Sequence, residues 1–147
     1  LATVRAFVSA VLRPPRFQIE LHTVSGTKYG EASAVSVSND PLPDGVVLSD
    51  PDVLTRGTLG LYVARPMTIA GVVHLFIDAL RGRWKYNPLL FVSEVRTVTL
   101  TFPRRKSSAQ ATVDGELIPL EPRITLESHP GALRVIAPPA APATAAA

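Results

Sequence analysis

Two carboxylates flank a glycine in the segment Val113-Asp114-Gly115-Glu116, where a run of apolar residues at alternate positions comes to an end. One interpretation is a tight turn, in which Asp114 bonds its own backbone and Gly115 takes a positive φ. The other is functional: a carboxylate held at the rigid end of a strand can accept a proton from a substrate hydroxyl. The local sequence alone favours the turn.

The other residues with catalytic or ligand chemistry are dispersed. His22, His74 and His129 are far apart in the sequence, and we expect them to be surface or packed side chains instead of metal ligands. The absence of cysteine excludes a disulfide framework, a thiolate metal site and a cysteine nucleophile, and it favours the cytoplasm. There is no Gly-rich phosphate loop and no nucleophile elbow, so we expect no nucleotide site within this chain.

Composition predicts one globular domain. The chain has 147 residues, of which 46% are apolar and 18% charged, and no apolar run approaches the length of a membrane-spanning helix. Although the pI is about 9.7, the excess of 15 Lys and Arg over 12 Asp and Glu is spread along the chain, so nucleic-acid binding is not expected. We interpret the dense cluster Arg104-Arg105-Lys106 as a solvated turn and leave a membrane-surface role for it open. Because the chain begins at Leu1 without a signal-peptide pattern, we expect it to be part of a larger protein.

Hydrophobic periodicity predicts the secondary structure. Helical spacing over residues 1–12 ends at Pro14-Pro15, and residues 17–22 then alternate as a half-buried strand. Ser25-Gly26 offers a turn, residues 31–38 form a second strand that pairs with the first in a hairpin, and residues 39–52 form a long loop. A strand over residues 59–63 precedes the strongest helical pattern, residues 67–80, with Pro66 in its first turn and Gly82 just past its end.

The sequence pattern predicts β-strands through the second half of the chain. Residues 89–102 form one long strand with a bulge or a sheet-switching corner near residues 93–96, and shorter strands follow at 109–113, 124–126 and 133–136. The predicted fold is mainly β, an antiparallel sandwich over residues 1–137 with one or two packed helices. Residues 138–147 contain only Pro, Ala and one Thr, and we expect a disordered tail there.

The motif at residues 113–116 has a wider context. It is followed by Glu121-Pro122-Arg123-Ile124 and by a Pro-Gly-Ala-Leu-Arg-Val sequence at residues 130–135, and together these resemble the closing stretch of the diacylglycerol kinase and sphingosine kinase superfamily of lipid kinases. The resemblance extends back to a strand that ends in Asn39, to residues 57–63, and to a helix followed by Gly82-Arg83-Trp84 where the family has Gly-Arg-His. It covers residues 1–138.

The resemblance implies a two-domain kinase of which this chain is the C-terminal, lipid-facing β-sandwich. The N-terminal domain would bind ATP with magnesium and would be the partner of this one, and neither ATP nor magnesium would be bound by this chain alone. Carried over by position, Glu116 is the base that takes the proton of the lipid hydroxyl, Asp114 assists it by orientation or metal contact, and Asn39 binds substrate. The implied location is cytoplasmic or peripheral to a membrane, and self-association is left open.

The sequence departs from the family at one point. Thr55-Arg56-Gly57 stands where the family has an acidic residue before the glycine, and an arginine cannot bind Mg²⁺. We therefore predict no metal site there, although Asp50 and Asp52 are near enough in sequence to substitute.

The alternative function is a free-standing β-sandwich that binds a protein or a carbohydrate without catalysis, with residues 114–116 serving only as a turn. A strand, a Gly-Gly-Asp-Gly-Thr loop and a helix encoded upstream of Leu1 would favour the kinase. The identity of the lipid stays open, because apolar pocket residues and core residues look alike in one sequence.

Overall fold

The computed structural model describes residues 14–39, 41 and 57–132, and the predicted antiparallel, mainly β fold is confirmed in them. The strands are β1 Phe17–Thr23, β2 Gly26–Ala32, β3 Ala34–Ser38, β4 Leu59–Ala64, β5 Leu90–Val95, β6 Thr97–Thr101, β7 Gln110–Val113, β8 Glu116–Pro119 and β9 Arg123–Glu127. One α-helix, α1 at Ile69–Leu80, and a 3-10 turn at Trp84–Tyr86 complete these ranges.

Several predicted features lie outside the described residues. They are the helix at residues 1–12, most of the loop at 39–52, the strand at 133–136 and the tail at 138–147. Asp50, Asp52 and the Thr55-Arg56 pair also lie outside them.

The strands form three antiparallel sheets. A four-stranded sheet has the order β2-β1-β6-β9, a three-stranded sheet the order β3-β4-β5, and β7 and β8 form a separate hairpin. A first hairpin is present, with Val24 and Ser25 in its turn, but the predicted second strand at residues 31–38 is wrong, because β1 pairs with β2. That predicted strand breaks at Ser33, where the chain leaves the four-stranded sheet and enters the three-stranded one. Because six of the seven β2 residues are exposed, β2 shows no apolar alternation in the sequence.

The two larger sheets pack face to face around one core. Alternate side chains of β1 and β6 point to the same interior as those of β4, as expected of strands with a period of two. Leu61 of β4 and Val98 of β6 are fully buried, and the rings of Phe17 and Phe102 lie 6.1 Å apart at one end. The molecule is therefore a β-sandwich.

A corner connects the sheets between β5 and β6. The single long strand predicted at residues 89–102 is two strands, separated at Arg96 and placed in different sheets. The backbone carbonyl of Arg96 accepts a hydrogen bond from the N–H of Ser128 at 2.9 Å, which links the corner to the chain beyond β9. This corner explains why Glu94 and Arg96 interrupt the alternation, and it confirms the predicted change of sheet.

Local signals at both ends determine the extent of α1. The Thr68 hydroxyl accepts a hydrogen bond from the N–H of Gly71 at 3.3 Å, so Thr68 is the N-cap and the predicted start at residue 67, with Pro66 in the first turn, is two residues early. At the other end Gly82 has a φ of 68°, and the N–H groups of Gly82 and Arg83 bond back to the carbonyls of Ala79 and Asp78. This is a Schellman ending, and it confirms the predicted role of Gly82.

Candidate functional site

The predicted catalytic carboxylates lie on the β7–β8 hairpin. Val113 pairs with Glu116, so Asp114 and Gly115 alone make the turn. Their φ angles are 49° and 88°, the two positive values of a type I′ turn, for which Asp-Gly is a favoured sequence. The predicted tight turn is present, and it accounts for Asp114 and Gly115.

The turn does not account for Glu116, which is the first residue of β8 and is exposed. In the register of the hairpin, Val113 is opposite Glu116, and Ile118 lies two residues farther along the same face. Val113 is 50% exposed and Ile118 is 40% exposed. The Glu116 carboxylate therefore stands on an exposed hairpin face with apolar neighbours, an arrangement that suits a polar group attached to an apolar chain.

Asn39 lies at a different place, after the last residue of β3. Ser38, Gly60 and Glu94 form one cross-strand row at this end of the three-stranded sheet. The Thr58 hydroxyl donates to a carboxylate oxygen of Glu94 at 3.3 Å beside that row. Asn39 thus follows a polar sheet end, and Glu94, which the sequence marked only as an irregularity, is part of it.

The structure does not connect the predicted site residues of the hairpin directly with Asn39. The hairpin is a sheet of its own, and within residues 14–39 and 57–132 no hydrogen bond or ion pair connects Glu116 with Asn39. Their joint participation in one site stays a prediction.

The histidines have local, mutually separate environments. The His22 ring shares a 2.9 Å hydrogen bond with the Thr27 hydroxyl across the first hairpin, and His74 lies 3.9 Å from Asp78, one helical turn away. Across the part of the chain that the structure describes, no three His, Asp or Glu side chains come together as a metal site.

An open cavity of roughly 330 Å³ lies between the two sheets at the edge formed by β2. Its apolar wall is Ile19, Leu21, Val63 and Phe91, and Lys28, Tyr29, Gly30, Glu31 and Arg65 line the remainder. The Lys28 ammonium lies 4.2 Å from the centroid of the Phe91 ring, so an inward-pointing cation stands at this sheet edge.

This cavity is distant from the polar sheet end beside Asn39. It lies at the end of β4 where Val63 and Arg65 are five and seven residues from Thr58, which corresponds to roughly 17–23 Å along a strand. None of the predicted site residues lines it.

The basic cluster Arg104-Arg105-Lys106 lies in the connection between β6 and β7. The backbone N–H of Arg105 bonds to the carbonyl of Phe102 at 3.3 Å, and Arg104 and Lys106 are exposed. This placement agrees with the predicted solvated turn. Among residues 14–39 and 57–132, the helices lack the length and the apolar content that a membrane span requires.

No protein-family model matches the sequence. Among solved structures, a diacylglycerol kinase from Bacillus anthracis str. Sterne is similar with a TM-score of 0.56 and 17% identity, over 87% of this chain and 47% of that chain. Two structures of a provisionally identified diacylglycerol kinase from the same organism have TM-scores of 0.51 and 0.52 at 19% and 18% identity. They cover 86% and 82% of this chain, and 44% and 41% of theirs. The chain thus spans less than half of the length of these proteins, and over most of its own length it shares the fold of the matching part of them.

Proposed function

We propose that this chain is the C-terminal, lipid-side domain of an ATP-dependent lipid kinase that phosphorylates a lipid hydroxyl. The shared fold supports the kind of domain, because structures similar over most of this chain come from diacylglycerol kinases of which it matches less than half. The single observation that carries the reaction is the position of Glu116, an exposed carboxylate beside the exposed apolar side chains of Val113 and Ile118 on one face of the hairpin.

In the proposed reaction, Glu116 accepts the proton of the lipid hydroxyl while the hydroxyl oxygen attacks the terminal phosphorus of ATP. The new oxygen–phosphorus bond replaces the bond to ADP, which leaves with the electron pair. Phosphoryl transfer requires little covalent help from the protein, so this domain contributes the position of the hydroxyl and a proton acceptor. Val113 and Ile118 would contact the first part of the apolar chain.

Asp114 and Asn39 have supporting roles in this proposal. Asp114 is held in a left-handed conformation beside Glu116, where its charge would orient the hydroxyl or face a metal brought by the other domain. Asn39, at the polar end of the three-stranded sheet, would bind the polar part of the substrate. ATP and magnesium would be held by an N-terminal domain outside this chain, and they would supply the phosphoryl group and balance its charge.

The test is Glu116→Gln in the full-length protein, assayed for phosphate transfer to a dispersed lipid alcohol. The amide keeps the shape of the side chain and removes the proton acceptor, so kcat should fall by about 10²- to 10⁴-fold with little change in the KM for lipid. The control is Glu127→Gln, an exposed glutamate on β9, which should keep the parent kcat.

A second variant distinguishes the role of Asp114 from that of Glu116. Asp114→Asn keeps a residue that tolerates the type I′ turn and removes the charge, so any loss of turnover without a loss of stability reports the role of that charge. If Glu116→Gln retains turnover within about twofold of the parent, the catalytic role is wrong. The hairpin would then be a turn only, and the alternative, a binding module without catalysis, would take its place.

A further inference from the structure

The helix α1 exposes an apolar stripe on its outer side. Ile69, Val73, Phe76 and Leu80 are 47%, 50%, 63% and 73% exposed, respectively. At about 100° per residue these four positions fall within roughly 60° of one another around the helix axis. They form one continuous line along the whole helix, which we call the outer stripe.

The opposite side of the helix already has its contacts. A Cβ atom at Gly71 would lie 2.9 Å from the Leu89 side chain, so the helix approaches the following segment closely there. Asp78 accepts a hydrogen bond from the buried Asn87 amide at 2.6 Å. Because α1 is attached to the domain by this side, the outer stripe faces away from the segment that holds it.

A cationic and aromatic segment directly follows the outer stripe. Arg81 and Arg83 are exposed, and Tyr86 is 80% exposed. An apolar helix face that ends in Phe76 and Leu80, followed by two arginines and an exposed tyrosine, supplies the apolar, cationic and aromatic groups that bind in a membrane interface with anionic headgroups.

The charges argue against a second copy of the chain as the occupant. The first turn of α1 contains no acidic residue, and the carboxylate of the helix, Asp78, is on the packed side and bonded to Asn87. A second α1 laid against the outer stripe would therefore bring apolar contacts but no carboxylate from either helix to Arg81 and Arg83. An anionic lipid surface supplies both kinds of contact.

We infer that α1 is an interfacial docking helix, which binds an anionic bilayer through the outer stripe and through Arg81 and Arg83. This inference deepens the proposed function, since a kinase that acts on a lipid hydroxyl must reach that hydroxyl at a membrane surface. Vesicle binding is measured without ATP, so it can succeed or fail independently of phosphoryl transfer.

The first test is co-sedimentation of the full-length protein with phosphatidylcholine vesicles that contain phosphatidylglycerol, and with vesicles of phosphatidylcholine alone. Binding should be stronger to the anionic vesicles and should weaken as salt is added. Phe76→Gln with Leu80→Gln should lower the partition coefficient on the order of a hundredfold, because the two substitutions remove most of the apolar surface that enters the interface. Val24→Gln, at a 94% exposed site in the first hairpin turn, is the control and should bind like the parent.

The second test compares the two basic clusters. Arg81→Gln with Arg83→Gln should reduce binding to anionic vesicles by about thirtyfold, at roughly tenfold per 1.4 kcal/mol and about 1 kcal/mol per arginine. Arg104→Gln with Arg105→Gln removes the same charge from the β6–β7 connection and should leave binding within about threefold of the parent. If the Arg104 and Arg105 variant lost more vesicle binding than the Arg81 and Arg83 variant, the assignment to α1 would be overturned.

A probe in the stripe distinguishes insertion from misfolding. The Phe76→Cys variant, labelled with an environment-sensitive fluorophore, should shift its emission to shorter wavelength on anionic vesicles, whereas the emission of a labelled Val24→Cys variant should not shift. The inference is overturned if the parent does not bind vesicles, or if Phe76→Gln with Leu80→Gln binds within about twofold of it. It is also overturned if that variant changes only the oligomeric state or the melting temperature, because a protein surface would then cover the stripe.

Discussion

The ring of Tyr62 on β4 packs against the ring of Trp84 beyond α1, with centroids 5.7 Å apart and planes inclined by 46°. Tyr62 is 7% exposed and lies over Gly60 on its own strand, where a Cβ atom would come within 2.6 Å of the tyrosine hydroxyl oxygen. Trp84 therefore covers the outer side of the three-stranded sheet. This contact gives a physical role to the tryptophan that stands where the lipid kinase family has histidine.

Trp84→Ala should destabilise the chain by about 2 kcal/mol, since it removes an aromatic pair and part of the apolar cover of Tyr62. In a chain of this size that corresponds to a melting temperature about 4–8 °C lower, measurable by calorimetry. Tyr86→Ala, at an 80% exposed aromatic residue two positions away, should change it by less than about 2 °C. Equal effects of the two substitutions would refute the packing role of Trp84.

Asn87→Ala should also destabilise the chain, by about 1–3 kcal/mol. The Asn87 side chain is 3% exposed, donates to Asp78 at 2.6 Å and accepts from the Leu89 N–H at 2.9 Å. The substitution removes the amide hydrogen bond to Asp78 and leaves the Leu89 N–H without its side-chain acceptor at the junction between α1 and β5. Denaturant unfolding gives the free energy, and Gln110→Ala at an exposed strand position is the control.

Gly115→Val should lower stability by about 1–3 kcal/mol, because a β-branched residue is strained at a φ of 88°. Space is not the reason, since nothing lies within 4 Å of a Cβ atom at that position. Gly30→Ala is the control for the effect of the added side chain alone. Gly30 has the same open surroundings without a positive φ, so the melting temperature of this variant should stay close to that of the parent. A stable Gly115→Val variant would contradict the type I′ turn.

The 147-residue chain by itself should show no ATP hydrolysis and no lipid phosphorylation, because its sequence contains no phosphate-binding loop. Phosphate release from ATP by the purified chain, with the full-length protein as the positive control, checks this. ATP-dependent turnover by the chain alone would contradict the division of roles between two domains.

The sequence by itself determined those features that depend on a few neighbouring residues. Alternation located β1 and β4, and helical spacing with Gly82 located α1 and its end, because backbone geometry imposes these periods locally. Asp114-Gly115 determined the type I′ turn for the same reason, since both residues accept a positive φ. The catalytic hypothesis for Glu116 came from the wider resemblance over residues 1–138, since the motif at residues 113–116 alone favours a turn.

Only the tertiary structure decided which elements meet. Leu21 is opposite Leu100 across two strands that are far apart in sequence, and that pairing depends on shared burial between distant segments, which leaves no local pattern. The exposed strand β2 escaped prediction for the complementary reason, since most of its side chains face no core. In α1, apolar residues occupy more than one side of the helix, and periodicity cannot say which side is covered. The close approach of Gly71 to Leu89 shows which side of α1 is covered, and Phe76 on the opposite side is exposed to solvent.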